Sequence, residues 1–172
     1  MPRKPKLTLQ ARAVALLARR EYSRAELHAK LAADRGGGDA ASSGSGAATS
    51  SGSGAEVDAV LDELAARGYL SDARFAEQFA RQKSGALSKR AIGASLKARG
   101  VEGEAATEAL AGVEIDDHQA MIALWRRRFG SAPANDKEKA RQVRFLQSRG
   151  FSLSAIIKLL RNPPTDERLQ DD

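Results

Sequence analysis

Leu96-Lys97-Ala98-Arg99-Gly100 ends with the two residue types that commonly close an α-helix. Glycine adopts the left-handed conformation after the last turn, and an arginine beside it faces the negative end of the helix dipole. The same Leu-x-x-Arg-Gly pattern recurs at residues 64–68 and 146–150. We therefore predict that three helices end at these stretches with the same local geometry. Arg67, Arg99 and Arg149 therefore have a structural role to weigh against any role in binding.

The composition around these stretches favours helices throughout. All five prolines lie at positions 2, 5, 133, 163 and 164, so residues 6–132 contain none of the residue that interrupts helices most strongly. Alanine, the best helix former, occurs 33 times, against 15 β-branched residues that favour strands. We therefore predict an all-α protein.

Caps and apolar spacing divide the chain into about nine helices, which fall into three triplets. Corresponding leucines are 46 to 50 residues apart, a period typical of stacked helical repeats: Leu64, Leu110 and Leu160, and likewise Leu96 and Leu146. Such repeats build elongated, curved bodies. The predicted helices cover residues 8–20, 24–33, 56–67, 72–83, 88–99, 102–111, 116–129, 137–149 and 152–161.

The domain organisation follows from this period. Repeats are predicted at residues 8–67, 68–112 and 113–161, between a basic tail (1–7) and a C-terminal tail (162–172). Leu31 and Leu96 are 65 residues apart, which exceeds the period. A Gly/Ser-rich segment at residues 36–54 accounts for the excess, and we predict that it is a disordered insertion in the first repeat.

Local patterns assign several side chains to structure. Ser23 and Glu26 form a capping box, and Ser88 and Asp136 are similar cap candidates. Trp125 and the pair Phe75 and Phe79 have helical apolar spacing, which predicts core positions rather than base stacking.

The net charge of +6 results from alternating blocks. Residues 1–35, 78–100 and 121–161 carry +6, +6 and +8, whereas residues 36–77, 101–120 and 162–172 carry −5, −6 and −3. If the repeats stack in parallel, one face becomes basic and another acidic. A basic face favours phosphates or an acidic groove, although solvated helix surfaces would show similar charges. The candidate binding residues are Arg24, Lys30, Arg67, Lys89, Arg90, Lys97, Arg99, Arg126, Arg127, Arg128, Lys137, Lys139, Arg141, Arg144 and Arg149.

Several classes of site are excluded. The chain has no cysteine, and its two histidines, His28 and His118, are far apart and outside any metal-binding motif. Asp116 and Asp117 begin a helix and serve better as caps than as a catalytic pair. No Gly-Lys-Ser/Thr follows the glycine-rich segment, and no apolar run approaches the ~18 residues of a membrane span. We expect a cytoplasmic monomer with no cofactor, no metal and no enzymatic activity.

Three motifs, taken in order and spacing, resemble the RecX regulatory proteins: Tyr22-Ser23-Arg24-Ala25-Glu26-Leu27 with Lys30-Leu31, Gly68-Tyr69-Leu70-Ser71-Asp72-Ala73-Arg74-Phe75-Ala76, and Phe145-Leu146-Gln147-Ser148-Arg149-Gly150-Phe151-Ser152. The resemblance runs from about Gln10 to Arg161. It departs at the Gly/Ser insertion and at the alanine- and glutamate-rich sixth helix, residues 102–111.

The resemblance implies three tandem three-helix repeats without catalysis. It also implies that the protein binds the RecA recombinase filament on single-stranded DNA and modulates, mostly inhibits, RecA ATPase activity and strand exchange. A protein of this kind would lie in the groove of the filament and bridge RecA subunits. The alternative is a general DNA-binding protein of stacked helical units that acts independently of RecA. A nuclease or other enzyme has the least support.

Overall fold

A computed structural model of the chain describes residues 7–36 and 50–164. That part of the chain forms nine α-helices and no strand, which confirms the all-α prediction. None of the helices in these two ranges is long and apolar enough to cross a membrane. The helices are α1 (Leu9–Leu17), α2 (Arg24–Gly36), α3 (Ser50–Ala66), α4 (Asp72–Lys83), α5 (Lys89–Lys97), α6 (Gly103–Gly112), α7 (Asp117–Arg128), α8 (Asp136–Ser148) and α9 (Leu153–Arg161).

The helix bounds agree with the predicted ones to within a few residues, except at the Gly/Ser-rich segment. Helix α2 continues to Gly36 and α3 begins at Ser50 rather than at residue 56. Both ends of the predicted insertion are therefore helical, because α3 covers residues 50–54. The disorder predicted for residues 37–49 lies outside the described residues.

Each triplet of helices buries its own apolar cluster. Leu27, Leu31 and Leu61 lie in the cluster of α1–α3, whereas Ile92 and Leu96 lie in that of α4–α6. The third cluster, in α7–α9, contains Met121, Leu124, Trp125, Leu146 and Ile156. Every extensive helix–helix contact in the described residues lies within one triplet. The protein thus consists of three three-helix repeats with separate cores.

The connecting segments belong to the core that precedes them. Leu70 packs in the first cluster although the sequence places it in the second repeat. Val113 and Ile115 likewise pack against the second cluster rather than the third. Each linker therefore closes the repeat that it leaves.

The glycine helix ends have the predicted geometry. Gly68, Gly100 and Gly150 have φ angles of 76°, 76° and 90°. The amide after Gly100 donates to the Leu96 carbonyl (3.0 Å), and that after Gly150 donates to the Leu146 carbonyl (3.3 Å). The three ends are alike locally but not in position, because Gly68 follows a third helix while Gly100 and Gly150 follow second helices.

The predicted caps are confirmed with three corrections. Ser23 accepts from the Glu26 amide (3.1 Å) as the capping box predicts, but the Glu26 carboxylate contacts Arg20 and Arg99 instead of a helix-start amide. Ser88 and Asp116 accept hydrogen bonds from the first turns of α5 and α7. The cap of α8 is Asn135 rather than Asp136, because its side chain reaches the Glu138 amide (2.9 Å). Asp117 does not cap its own helix but accepts a hydrogen bond from the Lys89 amide (2.7 Å) in the preceding repeat.

The aromatic residues occupy the predicted core positions. Trp125 is buried and donates from Nε1 to Gln142 Oε1 (2.7 Å). Phe75 and Phe79 stack with centroids 6.0 Å apart. The buried Trp125 ring is therefore not accessible for stacking on a base.

The repeats follow one another in a row. Ser23, just before α2, donates a hydrogen bond to the Arg99 carbonyl after α5, and Ser88, just before α5, donates one to the Gly150 carbonyl after α8. Hydrogen bonds thus join the first repeat to the second and the second to the third. The elongated, curved shape of the body stays a prediction.

Candidate nucleic-acid interface

The clearest group of cations lies on α8. Lys137, Arg141 and Arg144 are exposed and spaced i, i+4, i+7, which places them on one face of the helix. That face is opposite the buried Gln142 and Leu146, which anchor α8 in the third core. Three positive charges thus line one outward surface of the third repeat. We call Lys137, Arg141 and Arg144 the α8 face.

The arginine cluster at the end of α7 does not form a single patch. Arg126, Arg127 and Arg128 are all exposed, but consecutive helical residues point about 100° apart. Arg126 points away from the buried side that carries Leu124 and Trp125, and Arg127 lies at its edge. Arg128 continues the line of that side at the last residue of the helix. All three occupy the last turn, where cations also stabilise the helix dipole.

Two of the three candidate cations in the first repeat, Arg24 and Arg67, pair with carboxylates of its third helix. Arg24 contacts Asp62 (2.8 Å) and Asp58 (3.5 Å), and Arg67 contacts Glu63 (2.6 Å). The expected segregation into a basic and an acidic face does not hold here, because opposite charges share one surface.

The second repeat shows the same neutralisation. Lys97 lies 4.0 Å from Glu102, and Arg99 pairs with Glu26 (3.1 Å) while its guanidinium covers the Phe79 ring at 4.7 Å. Arg90 donates to the Gly150 carbonyl (3.3 Å). Arg99 is also only half-exposed, so it is better placed to hold repeats together than to bind a ligand.

The third repeat differs because its third helix, α9, has no acidic residue that could pair with the cations of the repeat. Helix α3 carries Asp58, Asp62 and Glu63, whereas α9 carries Lys158 and Arg161 in its last turn. Both are exposed, and neither was among the candidate residues. The missing carboxylates of α9 could have identified them from the sequence.

The remaining candidates divide by their surroundings. Arg141 and Arg149 lie over the rings of Phe129 (5.8 Å) and Phe145 (5.4 Å). Lys30 and Lys89 are exposed on the first two repeats. In the described part of the chain, no carboxylate oxygen lies within 4.0 Å of Lys30, Lys89, Arg127, Arg128, Lys137, Lys139 or Arg144. Five of these seven residues belong to the third repeat.

The described residues contain no group of three or more His, Cys, Asp or Glu side chains that could hold a metal ion. A row of repeats with unpaired cations at one end is suited to bind an extended anionic partner.

Comparison with known proteins gives the family. Models of the second and third three-helix domains of RecX match residues 71–110 and 114–160. A regulatory protein RecX of Leptothrix cholodnii is 39% identical over 158 residues, covering 92% of this chain and 90% of that protein. The chain belongs to the RecX family of regulatory proteins.

Other RecX proteins are similar to this chain over most of its length. The protein of Chromobacterium violaceum is 39% identical over 95% of this chain and 96% of its own length, and that of Chromohalobacter salexigens is 40% identical over 84% and 85%. The crystal structure of RecX from Lactobacillus salivarius superimposes with a TM-score of 0.58 at 16% identity, covering 89% of this chain and 94% of that one. A second RecX crystal structure gives 0.59 at 15% identity, with 89% and 73% coverage. These two structures support the fold.

Proposed function

We propose that this RecX protein binds the RecA filament on single-stranded DNA and inhibits RecA ATPase and recombinase activity by binding alone. Membership of a regulatory family supports the partner. The observation that carries the contact is the cationic surface of the third repeat. In the described residues, no carboxylate oxygen lies within 4.0 Å of Arg127, Arg128, Lys137, Lys139 or Arg144, whereas Arg24 and Arg67 pair with carboxylates. The proposal places the protein in the cytoplasm, where RecA meets DNA, and assigns the activity to a monomer without catalysis.

The α8 face is the part of this surface that best fits a phosphate backbone or an acidic groove. Its members project from one side of a helix that is fixed by buried Gln142 and Leu146. Gln142 is held at both ends of its amide, since Oε1 accepts from Trp125 and Nε2 donates to the Ser131 carbonyl (3.2 Å). The charges therefore stand on a rigid support, which lowers the entropy lost on binding.

The direct test measures ATP hydrolysis by RecA on single-stranded DNA with increasing amounts of this protein. We expect the rate to fall as the protein approaches stoichiometry with RecA. An unchanged rate at stoichiometric excess would exclude the proposed inhibition, and intact DNA after incubation with Mg²⁺ would agree with the absence of nuclease activity.

A matched pair of variants locates the contact. The triple variant Lys137→Gln, Arg141→Gln, Arg144→Gln removes the α8 face, and Arg67→Gln, Arg81→Gln, Lys97→Gln removes the same charge from residues near carboxylates. We expect the first to lose co-sedimentation with RecA filaments and the second to keep it. Equal effects of the two would show that total charge, not the α8 face, controls association.

Direct binding to DNA is a second candidate, because the same spacing on α8 suits phosphate contacts. Its signature is tight binding to single strands without RecA and a steep dependence on salt. Three phosphate contacts correspond to a slope of log affinity against log salt of about −2. If the α8 triple variant reduces the slope by this amount, the cations contact DNA itself; an unchanged slope assigns them to RecA.

A further inference from the structure

The first two repeats are joined by a hydrogen-bonded contact between helix ends. Ser23 Oγ accepts from the Glu26 amide (3.1 Å) within α2 and donates to the Arg99 carbonyl (2.7 Å) at the end of α5. The Arg24 amide, the first of α2, donates to Asp72 Oδ1 (2.7 Å) at the start of α4. We call this contact the first junction.

The second and third repeats are joined in the same way. Ser88 Oγ accepts from the Ala91 amide (3.2 Å) and donates to the Gly150 carbonyl (2.8 Å) after α8. The Lys89 amide, the first of α5, donates to Asp117 Oδ1 (2.7 Å) at the start of α7. The serine and aspartate of the first junction therefore have counterparts in this second junction. The accepting carbonyl is one residue later, at Gly150, and the Arg149 carbonyl accepts from the Ser88 amide instead (3.0 Å).

Both junctions bring the start of one second helix against the end of the next. An added Cβ at Gly100 would lie 2.5 Å from Ala25 Cβ, and one at Gly150 would overlap Ala91 Cβ and lie 2.5 Å from Ser88 Oγ. The positive end of one helix dipole thus meets the negative end of the next. Ser23 and Ser88 are buried at these contacts, where water does not compete for their bonds.

The terminal repeats do not continue the pattern. The first residue of α1 is Leu9, where α4 and α7 have Asp72 and Asp117. The residue before α8 is Asn135, whose exposed side chain caps its own helix, where α2 and α5 have serine. The serine–aspartate combination therefore occurs at the two internal junctions and not at either end.

We propose that the two junctions are clamps that hold the three repeats in one fixed relative orientation. The apolar cores cannot do this, because each is confined to its own repeat. Each clamp uses amides and carbonyls that are orphan groups at ordinary helix ends, so opening it exposes helix-end groups that the fold has paired. The array consequently meets its partner with a preset curvature rather than as three hinged units.

Amide hydrogen exchange tests the clamps in the unaltered protein. The first amides of a helix have no intrahelical partner and normally exchange fast. We expect the Arg24 and Lys89 amides to be protected, while the Leu153 amide, the first of the third helix α9 and outside both junctions, exchanges rapidly. If all three exchange at the same fast rate, the clamps are open in solution and the proposal fails.

Spin-label distances test the consequence for orientation. Because the chain has no cysteine, pairs of exposed residues can be labelled cleanly: Ala29→Cys with Ala98→Cys across the first junction, and Ala98→Cys with Gln147→Cys across the second. Adding Asp117→Ala should broaden the distance distribution across the second junction and leave that across the first unchanged.

The matched control is Asp136→Ala, which removes the first-turn carboxylate of α8 without touching a junction. It should leave both distributions unchanged. A narrow distribution across the second junction in the Asp117→Ala protein would show that the carboxylate does not hold the repeats, and equal broadening by Asp136→Ala would assign the effect to the helix dipole. Either result overturns the proposal.

Discussion

The two junctions share their serine and aspartate side-chain hydrogen bonds but differ in their other contacts. The Ser88 amide at the second junction also donates to the Arg149 carbonyl (3.0 Å), and the ion pairs differ as well. At the first, the Glu26 carboxylate lies between Arg99 (3.1 Å) and Arg20 (3.2 Å), and Arg74 pairs with Glu21 (3.1 Å). At the second, Arg90 donates to the Gly150 carbonyl (3.3 Å) instead. The common part is the serine, the aspartate and the glycine, so these define the contact and the ion pairs only reinforce one copy of it.

The largest effect on stability is expected from adding a methyl group at the two junction glycines, Gly100 and Gly150. Gly150→Ala should lower the free energy of unfolding by about 3 kcal/mol, from the left-handed backbone and from overlap with Ala91 and Ser88. Gly100→Ala should cost a similar amount, because its Cβ would meet Ala25. Urea denaturation followed by circular dichroism measures both.

Gly68→Ala is the control for this pair. Its φ is also positive, 76°, but no atom lies within 4 Å of the added Cβ, so only the backbone cost of about 1 kcal/mol remains. If the free energy of unfolding falls by the same amount in all three variants, the close approach at Gly100 and Gly150 contributes nothing to stability. The three glycines would then act only through their left-handed backbone.

The serines should give the next largest effect. Ser23→Ala and Ser88→Ala each remove a cap, worth about 1 kcal/mol, together with a bond to a partly buried carbonyl of the next repeat, worth up to about 1 kcal/mol more. The loss should be larger for Ser23→Ala, because the Gly150 carbonyl keeps a bond from Arg90 (3.3 Å) after Ser88→Ala. Ser71→Ala and Ser152→Ala remove a cap alone and should cost about half as much. A cost for the junction serines no greater than for these caps would mean that the inter-repeat bonds are energetically neutral.

Much of this architecture could be predicted from the sequence. Helix number and order follow from the absence of proline between residues 6 and 132 and from the repeated leucine spacing. Ser23, Ser88 and the glycines were identified as helix ends because capping is a local property. The hydrogen bonds that these serines make between repeats could not be predicted, because Ser23 and Arg99 are 76 positions apart in the sequence and meet only when the repeats pack together.

The site was predictable in composition but not in arrangement. All the candidate cations lie at the surface at least in part, yet Arg24 and Arg67 are matched by carboxylates of α3. Such pairing depends on how α2 packs against α3, which a count of charges along the chain does not contain. The run Arg126-Arg127-Arg128 is the densest cluster of cations in the sequence, but its side chains point in different directions. The charges of the α8 face are spread over eight residues and lie on one side of the helix, which suits binding better.

The smallest effect is expected from the ion pairs, and it should distinguish the two junctions. Glu26→Gln removes the carboxylate shared by Arg20 and Arg99 and should cost about 0.5 kcal/mol at low salt, since partly exposed pairs are weak. The cost should vanish near 1 M salt, where the screening length is about 3 Å. Protection of the Arg24 amide should fall slightly while that of Lys89 stays constant, because only the first junction has this pair. The control Glu77→Gln breaks the Arg81 pair within α4 and should change neither amide. A salt-independent loss at both junctions would mean that Glu26 acts through helix α2 as a whole rather than through the contact between repeats.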